Sequence, residues 1–157
     1  MKPILNPSGK RLKVFLDSSL VVAGIGSETG ASGVVLDLCE AALVLPVISK
    51  QVVVEIDRAV SAKLPHLAGR LRNFLHSLRP ILVEDPSLER VNEAMQQVHA
   101  KDAPILAAAR EAGVDDLVTL DKRHFLAARP KVDLLPPVVT PGEFLRLFEA
   151  WCRETMS

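Results

Sequence analysis

At 157 residues the chain has the length of one domain and can bury most of its apolar surface without disulfides. With 48% hydrophobic and 24% charged residues it is neither disordered nor fibrous. No apolar run approaches the roughly 20 residues of a membrane span, and no signal-peptide core precedes Lys13, so the expectation is a cytoplasmic protein without a membrane partner. The formal net charge of zero excludes indiscriminate attraction to nucleic acid.

Residues 1–11 mix Pro, Gly, Asn and Ser with little pattern and read as a flexible arm ahead of a single domain over 12–157. Leu12 to Leu16 is apolar and stops abruptly at Asp17-Ser18-Ser19, as a buried parallel strand does. Leu20 to Ile25 is a second apolar run, followed by a polar loop with Gly26, Gly30 and Gly33. A helix is expected from about Ala31 to Ala42, with Val34, Val35, Leu38 and Ala42 on one face. Leu43 to Ser49 reads as the second strand, and Ser49 can cap a helix beginning near Lys50. Gln51 to Val54 taken alone reads equally as strand, but Val52, Val53, Ile56 and Val60 fall at helical core spacing.

His66 to Leu78 carries a period-3.6 stripe of Leu67, Leu71, Phe74, Leu75 and Leu78, which Pro80 stops. Ile81 to Val83 is a short third strand, and Asp85-Pro86 has the form of a helix start, with Leu88, Val91, Met95 and Val98 as the expected apolar face. Asp102 opens an Ala-rich helix that Gly113 ends. Leu117 to Leu120 is the fourth strand, finishing at Asp121, and Pro136 to Val139 is an edge strand where prolines are tolerated. Thr140-Pro141-Gly142-Glu143 has capping-box spacing, and the stripe Phe144, Leu147, Phe148, Trp151 behind it is either a core layer or a dimer contact. Alternating strands and helices imply an α/β class with a parallel sheet covered on both faces.

Asp17, Glu55, Asp102 and Asp121 stand out because each follows a strand or opens a helix, positions that share one rim of such a sheet. Carboxylates gathered there repel one another unless a cation sits among them. Oxygen-only donors suit Mg²⁺ or Mn²⁺, and the lack of a His/Cys cluster argues against zinc. Taken one at a time, each acid also has an ordinary reading: a helix cap for Asp102, turn residues for Asp17 and Asp121, a surface charge for Glu55. His99 and His124 lie close to these acids in sequence and read as bystanders more readily than as acid–base groups. Two basic stretches stand apart: Arg58, Lys63, Arg70, Arg72 and Arg79, then Lys122, Arg123, Arg129 and Lys131. They are solvated helix faces or guides for a phosphate backbone. Cys39 and Cys152 read as buried spectators in a reducing compartment.

The ordered set Leu16-Asp17-Ser18-Ser19, Glu55, Lys101-Asp102-Ala103-Pro104 and Leu117-Val118-Thr119-Leu120-Asp121 resembles the PIN-domain ribonucleases, a group that includes the toxin halves of VapBC-type toxin–antitoxin pairs. The likeness spans about residues 12 to 146, with Val139 to Leu145 similar to the closing segment of bacterial members. It implies a PIN-like, Rossmann-like three-layer α/β/α fold with a central parallel sheet of about four to five strands. It further implies an endoribonuclease that uses Mg²⁺ or Mn²⁺, an RNA substrate, an antitoxin partner and a homodimer. By the same resemblance Asp17, Asp102 and Asp121 would hold the metal and Glu55 would orient or deprotonate the attacking water. Ser18, Thr119, Lys122 and Arg123 would line the substrate. Arg123 departs from relatives that carry another acid there, so a silent RNA- or protein-binding scaffold is the competing reading. A phosphohydrolase is less favoured, because Ser18-Ser19 supplies no acid just after Asp17.

Overall fold

A computed structural model describes residues 2–27, 29–127 and 134–156. Five parallel strands, β1 (Lys13–Leu16), β2 (Leu45–Ser49), β3 (Ile81–Val83), β4 (Asp116–Val118) and β5 (Val138–Val139), form one sheet in the order β3-β2-β1-β4-β5. In β1, Val14, Phe15 and Leu16 are wholly buried, as the unbroken apolar run demands of a central strand covered on both faces. Full burial of each such side chain contributes about 1.5–3 kcal/mol.

The sheet winds in one direction from β1 through β2 to β3 and in the other from β1 to β4 and β5. Right-handed crossovers therefore send the connecting helices to opposite faces. On one side pack α1 (Ser18–Gly26), α2 (Ala31–Glu40), α3 (Lys50–Lys63) and α4 (Ala68–Leu78), with a 3₁₀ turn at Pro65–Leu67. On the other, α5 (Leu88–Ala94) lies against α6 (Ala103–Ala112), which touches β2. The chain then passes through α7 (Lys122–Ala127) and β5 to α8 (Pro141–Met156), which returns to α2. This is the α/β/α arrangement expected, with five strands.

Several boundaries follow local chemistry that the sequence displays. Ser49 accepts from Val52 N to start α3, Gly113 closes α6 at φ 64, and Thr140 with Glu143 forms a reciprocal capping box ahead of α8. Other boundaries differ from expectation. Leu20 to Ile25 belongs to α1, a helix with little polar face because it is packed against α2 and α3. Gly24 lies against Leu36 of α2, and a Cβ there would force the Leu36 side chain to shift where α1 approaches α2. The helix expected at Asp85-Pro86 starts at Leu88, because Ser87 is the residue whose hydroxyl accepts from Arg90 N. It ends at Ala94, leaving Leu88 and Met95 exposed rather than in the core. Of the α8 stripe, Phe144 is buried and Phe148 and Trp151 pack against the core, while Leu147 is exposed.

Residues 2–11, read as a loose arm, are tied down. Ile4 is buried and its N–H donates to Leu43 O at 2.9 Å, Leu5 bridges to Arg11, and Asn6 reaches Asp115. Cys39 and Cys152 are both free, and burial pushes the Cys39 thiol up to about 12, which keeps it inert. No single described helix is long and apolar enough to cross a membrane.

Candidate active site

The reversal of strand order between β1 and β4 opens a crevice at the carboxyl ends of these two strands, the place where open α/β sheets bind ligands. Asp17 is the residue immediately after β1. It is buried, it caps α1 by accepting from Ser18 N at 2.8 Å through Oδ1, and its Oδ2 accepts from Thr119 Oγ1 at 2.7 Å. Thr119, fully buried past the end of β4, has a single hydroxyl proton and spends it on Asp17; the same oxygen accepts from Asp121 N at 2.9 Å. One hydroxyl thus stitches the end of β1 to the turn that carries Asp121.

Glu55 reaches the same rim from the second turn of α3. Its two oxygens accept from Ser18 Oγ at 2.8 Å and Gln51 Nε2 at 2.9 Å, so it is a held carboxylate rather than a free surface charge. Asp102 precedes α6 and is buried, but its side chain does not cap that helix as expected. Its Oδ2 has no aligned hydrogen bond, although His124 Nδ1 lies 2.8 Å away. Asp121 is exposed at the mouth.

Electrostatics places these carboxylates within range of one another. Burial raises the Asp17 carboxyl above its ordinary value, the bonds from Thr119 and Ser18 oppose that rise, and the charges of Glu55 and Asp121 add to it. Burial likewise raises Asp102; His124, His99 and Lys101 pull it down, and Asp121 pushes it up. Asp121 therefore couples to both Asp17 and Asp102. Among the described residues no three His, Cys, Asp or Glu side chains stand close enough to hold an ion jointly. Acidic oxygens spread in this way suit a hard cation that keeps several waters and takes one or two carboxylates directly, as Mg²⁺ does. The repulsion of Asp17 by Glu55 and Asp121 marks where positive charge is lacking.

The residues expected to meet substrate separate. Ser18 and Thr119 lie inside the site, each donating to one of its acids. Lys122 is engaged elsewhere, its Nζ 2.7 Å from Glu143 Oε2, an ion pair that ties α7 to α8 and holds the Glu143 carboxyl below its usual range. Arg123 is exposed on α7 beside Asp121 and makes no ion pair among the described residues; Arg129 and Lys131 lie outside the described residues. Two site residues escaped the sequence reading. Ser19 sits between the strand ends, its Oγ accepting from Leu120 N at 3.2 Å and standing 3.4 Å from Asp17 Oδ2. Gln51 holds Glu55, and the i,i+4 spacing on a helix was its signal.

The PIN domain family model matches residues 13–123, a span that takes in β1, α3 and the turn after β4 and hence all four acids. The chain belongs to the PIN-domain family. Members of that family are generally nucleases. Among solved structures, this PIN domain is similar to PAE2754 from Pyrobaculum aerophilum, at 19% identity over 88% of this chain and 90% of that one, with a TM-score of 0.61. It is also similar to a chain of VapBC2 from Rickettsia felis bound to a DNA fragment from its promoter, at 16% identity over 82% of this chain and 97% of that one, with a TM-score of 0.58. At these identities the likeness is one of fold. No curated protein matches the sequence.

Proposed function

We propose that this PIN domain is a divalent-metal-dependent endoribonuclease, using Mg²⁺ or Mn²⁺, and the toxin of a toxin–antitoxin pair. The observation that carries the reading is the convergence of Asp17, Glu55, Asp102 and Asp121, from four separate segments, on the crevice between β1 and β4. In this role Asp17, Asp102 and Asp121 hold the ion, one or two of them directly and the rest through its waters. When bound, the ion neutralises charge developing on a phosphoryl oxygen. Glu55, oriented by Ser18 and Gln51, keeps a free lone pair on each oxygen with which to take a proton from the attacking water. Thr119 fixes Asp17 in one orientation. Arg123, exposed beside Asp121, is suited to a phosphate of the RNA backbone, whereas Lys122 reaches it only after leaving Glu143.

A cytoplasmic homodimer inhibited by a cognate antitoxin completes the reading; the resemblance of the motifs to VapC-type toxins supports it. Incubating the purified chain with structured and unstructured RNA in Mg²⁺ or Mn²⁺ tests the activity. Cleavage that disappears with EDTA and in Asp17→Asn is expected, and full activity in either case rejects the proposal. The second reading, a scaffold that binds without cutting, is favoured by Arg123 standing two residues past Asp121. It requires RNA retention with no products in Mn²⁺.

A further inference from the structure

Asp17 and Glu55 have partners on both carboxylate oxygens, whereas Asp102 does not. Its backbone leads into α6 with φ −94 and ψ −15, and its side chain makes no capping bond to that helix. Oδ2 is shut off from solvent, and its one ion-pairing neighbour among the described residues is the Nδ1 of His124, 2.8 Å away. Oδ2 is thus closed to a solvent-borne cation, and what the cation can reach is the remainder of the carboxylate, on a side chain 11% exposed.

His124 is itself backed. The His99 ring lies 5.8 Å away, tilted by 45°, and His99 Nδ1 accepts from Lys101 N at 3.1 Å. The turn that leads into Asp102 thus orients the ring that His124 rests against. On the other side His124 rides on α7, three residues past Asp121. The Nδ1–Oδ2 separation is that of a charge-assisted hydrogen bond whose N–H is not yet aligned, a common state of site contacts before the ligand arrives.

We infer that His124 is a positioning residue: it pins the buried Oδ2 of Asp102 so that the rest of that carboxylate faces the rim in one orientation for a divalent cation. The inference rests on the metal reading of the rim. Partners that hold a ligating carboxylate in this way commonly account for about 10–100-fold in metal affinity.

Calorimetric titration of Mn²⁺ into the full chain, with no RNA present, tests it on wild type, His124→Leu and His124→Asn. Leucine keeps the bulk at this half-exposed position and removes the donor; asparagine restores an N–H near the place of Nδ1. The expected result is a loss of about 10–100-fold in affinity for His124→Leu and recovery of most of it in His124→Asn. Wild-type affinity in His124→Leu overturns the inference, and so does an Asn variant as weak as the Leu variant, which reports lost packing. Failure of the wild type to take up Mn²⁺ defeats the metal reading itself, and this inference with it, a result distinct from uptake by wild type and His124→Leu alike.

Discussion

At the amino end of the sheet, Asp115 accepts from Lys13 N at 2.9 Å and from Asn6 Nδ2 at 3.1 Å, while Asp115 N donates to Lys13 O at 2.7 Å. At the carboxyl end, Asp17 is raised by burial and by its acidic neighbours, and Asp102 keeps a buried oxygen with no aligned donor. The same residue type serves as a staple at one rim and as an uncompensated charge at the other. What differs is the company of the acids: Asp17 has donors on both oxygens as Asp115 does, but it also faces Glu55 and Asp121, a repulsion that a cation would relieve. The pairing of Asn6 with Asp115 also explains why the first residues are not a loose arm.

The largest effect expected is on activity at the carboxyl rim. Asp17→Asn should reduce RNA cleavage to background, measured by gel assay in Mg²⁺, while thermal stability stays level or rises, because Asn still caps α1 and one repelling charge is gone. A variant that is both inactive and strongly destabilised would make Asp17 a staple too and erase the contrast. Next comes stability at the amino rim. Asp115→Ala should cost about 1–3 kcal/mol in urea unfolding by stranding the Lys13 and Asn6 donors, with cleavage by the folded protein unchanged.

A subtler separation comes from ligand-linked stability. Saturating Mn²⁺ should raise the melting temperature of wild type and Asp115→Ala alike, by about 2.7 kcal/mol of stabilisation at a hundredfold excess over Kd, and should leave Asp17→Asn unmoved. The smallest effect concerns Asp116, whose carboxyl is pushed up from 3.8 to about 6 by burial and then by the charge of Asp115. Folding raises this pKa, so the native chain keeps a proton that the unfolded chain has already released. Its contribution is therefore complete below 3.8 and is lost as pH rises through about 6. Urea melts at the two ends of that window should show wild type losing stability relative to Asp116→Asn; parallel melts would mean that desolvation does not raise the Asp116 carboxyl.

Much of this was legible in the sequence wherever a local cause dictates the structure. The unbroken apolar run of β1, the Ser49 cap, Gly113 and the Thr140–Glu143 capping box each act within a few residues, and the four acids are placed by those elements. What was hidden depends on distant partners. Ser-Leu-Val-Val-Ala-Gly-Ile-Gly shows no helical period because α1 is covered nearly all round. The arm is fixed by Asp115, more than a hundred positions away. Asp102 looked like a helix cap, and only the fold reveals that its carboxylate turns instead toward His124. Lys122 looked free for phosphate until α8 delivered Glu143 to it.

On the proposed reading, the acids of the carboxyl rim share a divalent cation. Calorimetric titration of Mn²⁺ into wild type and into the Asp17→Asn/Asp102→Asn double variant tests it most directly. Uptake by wild type in the millimolar range or tighter, absent from the double variant, is the predicted result; no uptake by wild type, or equal uptake by both, would contradict it.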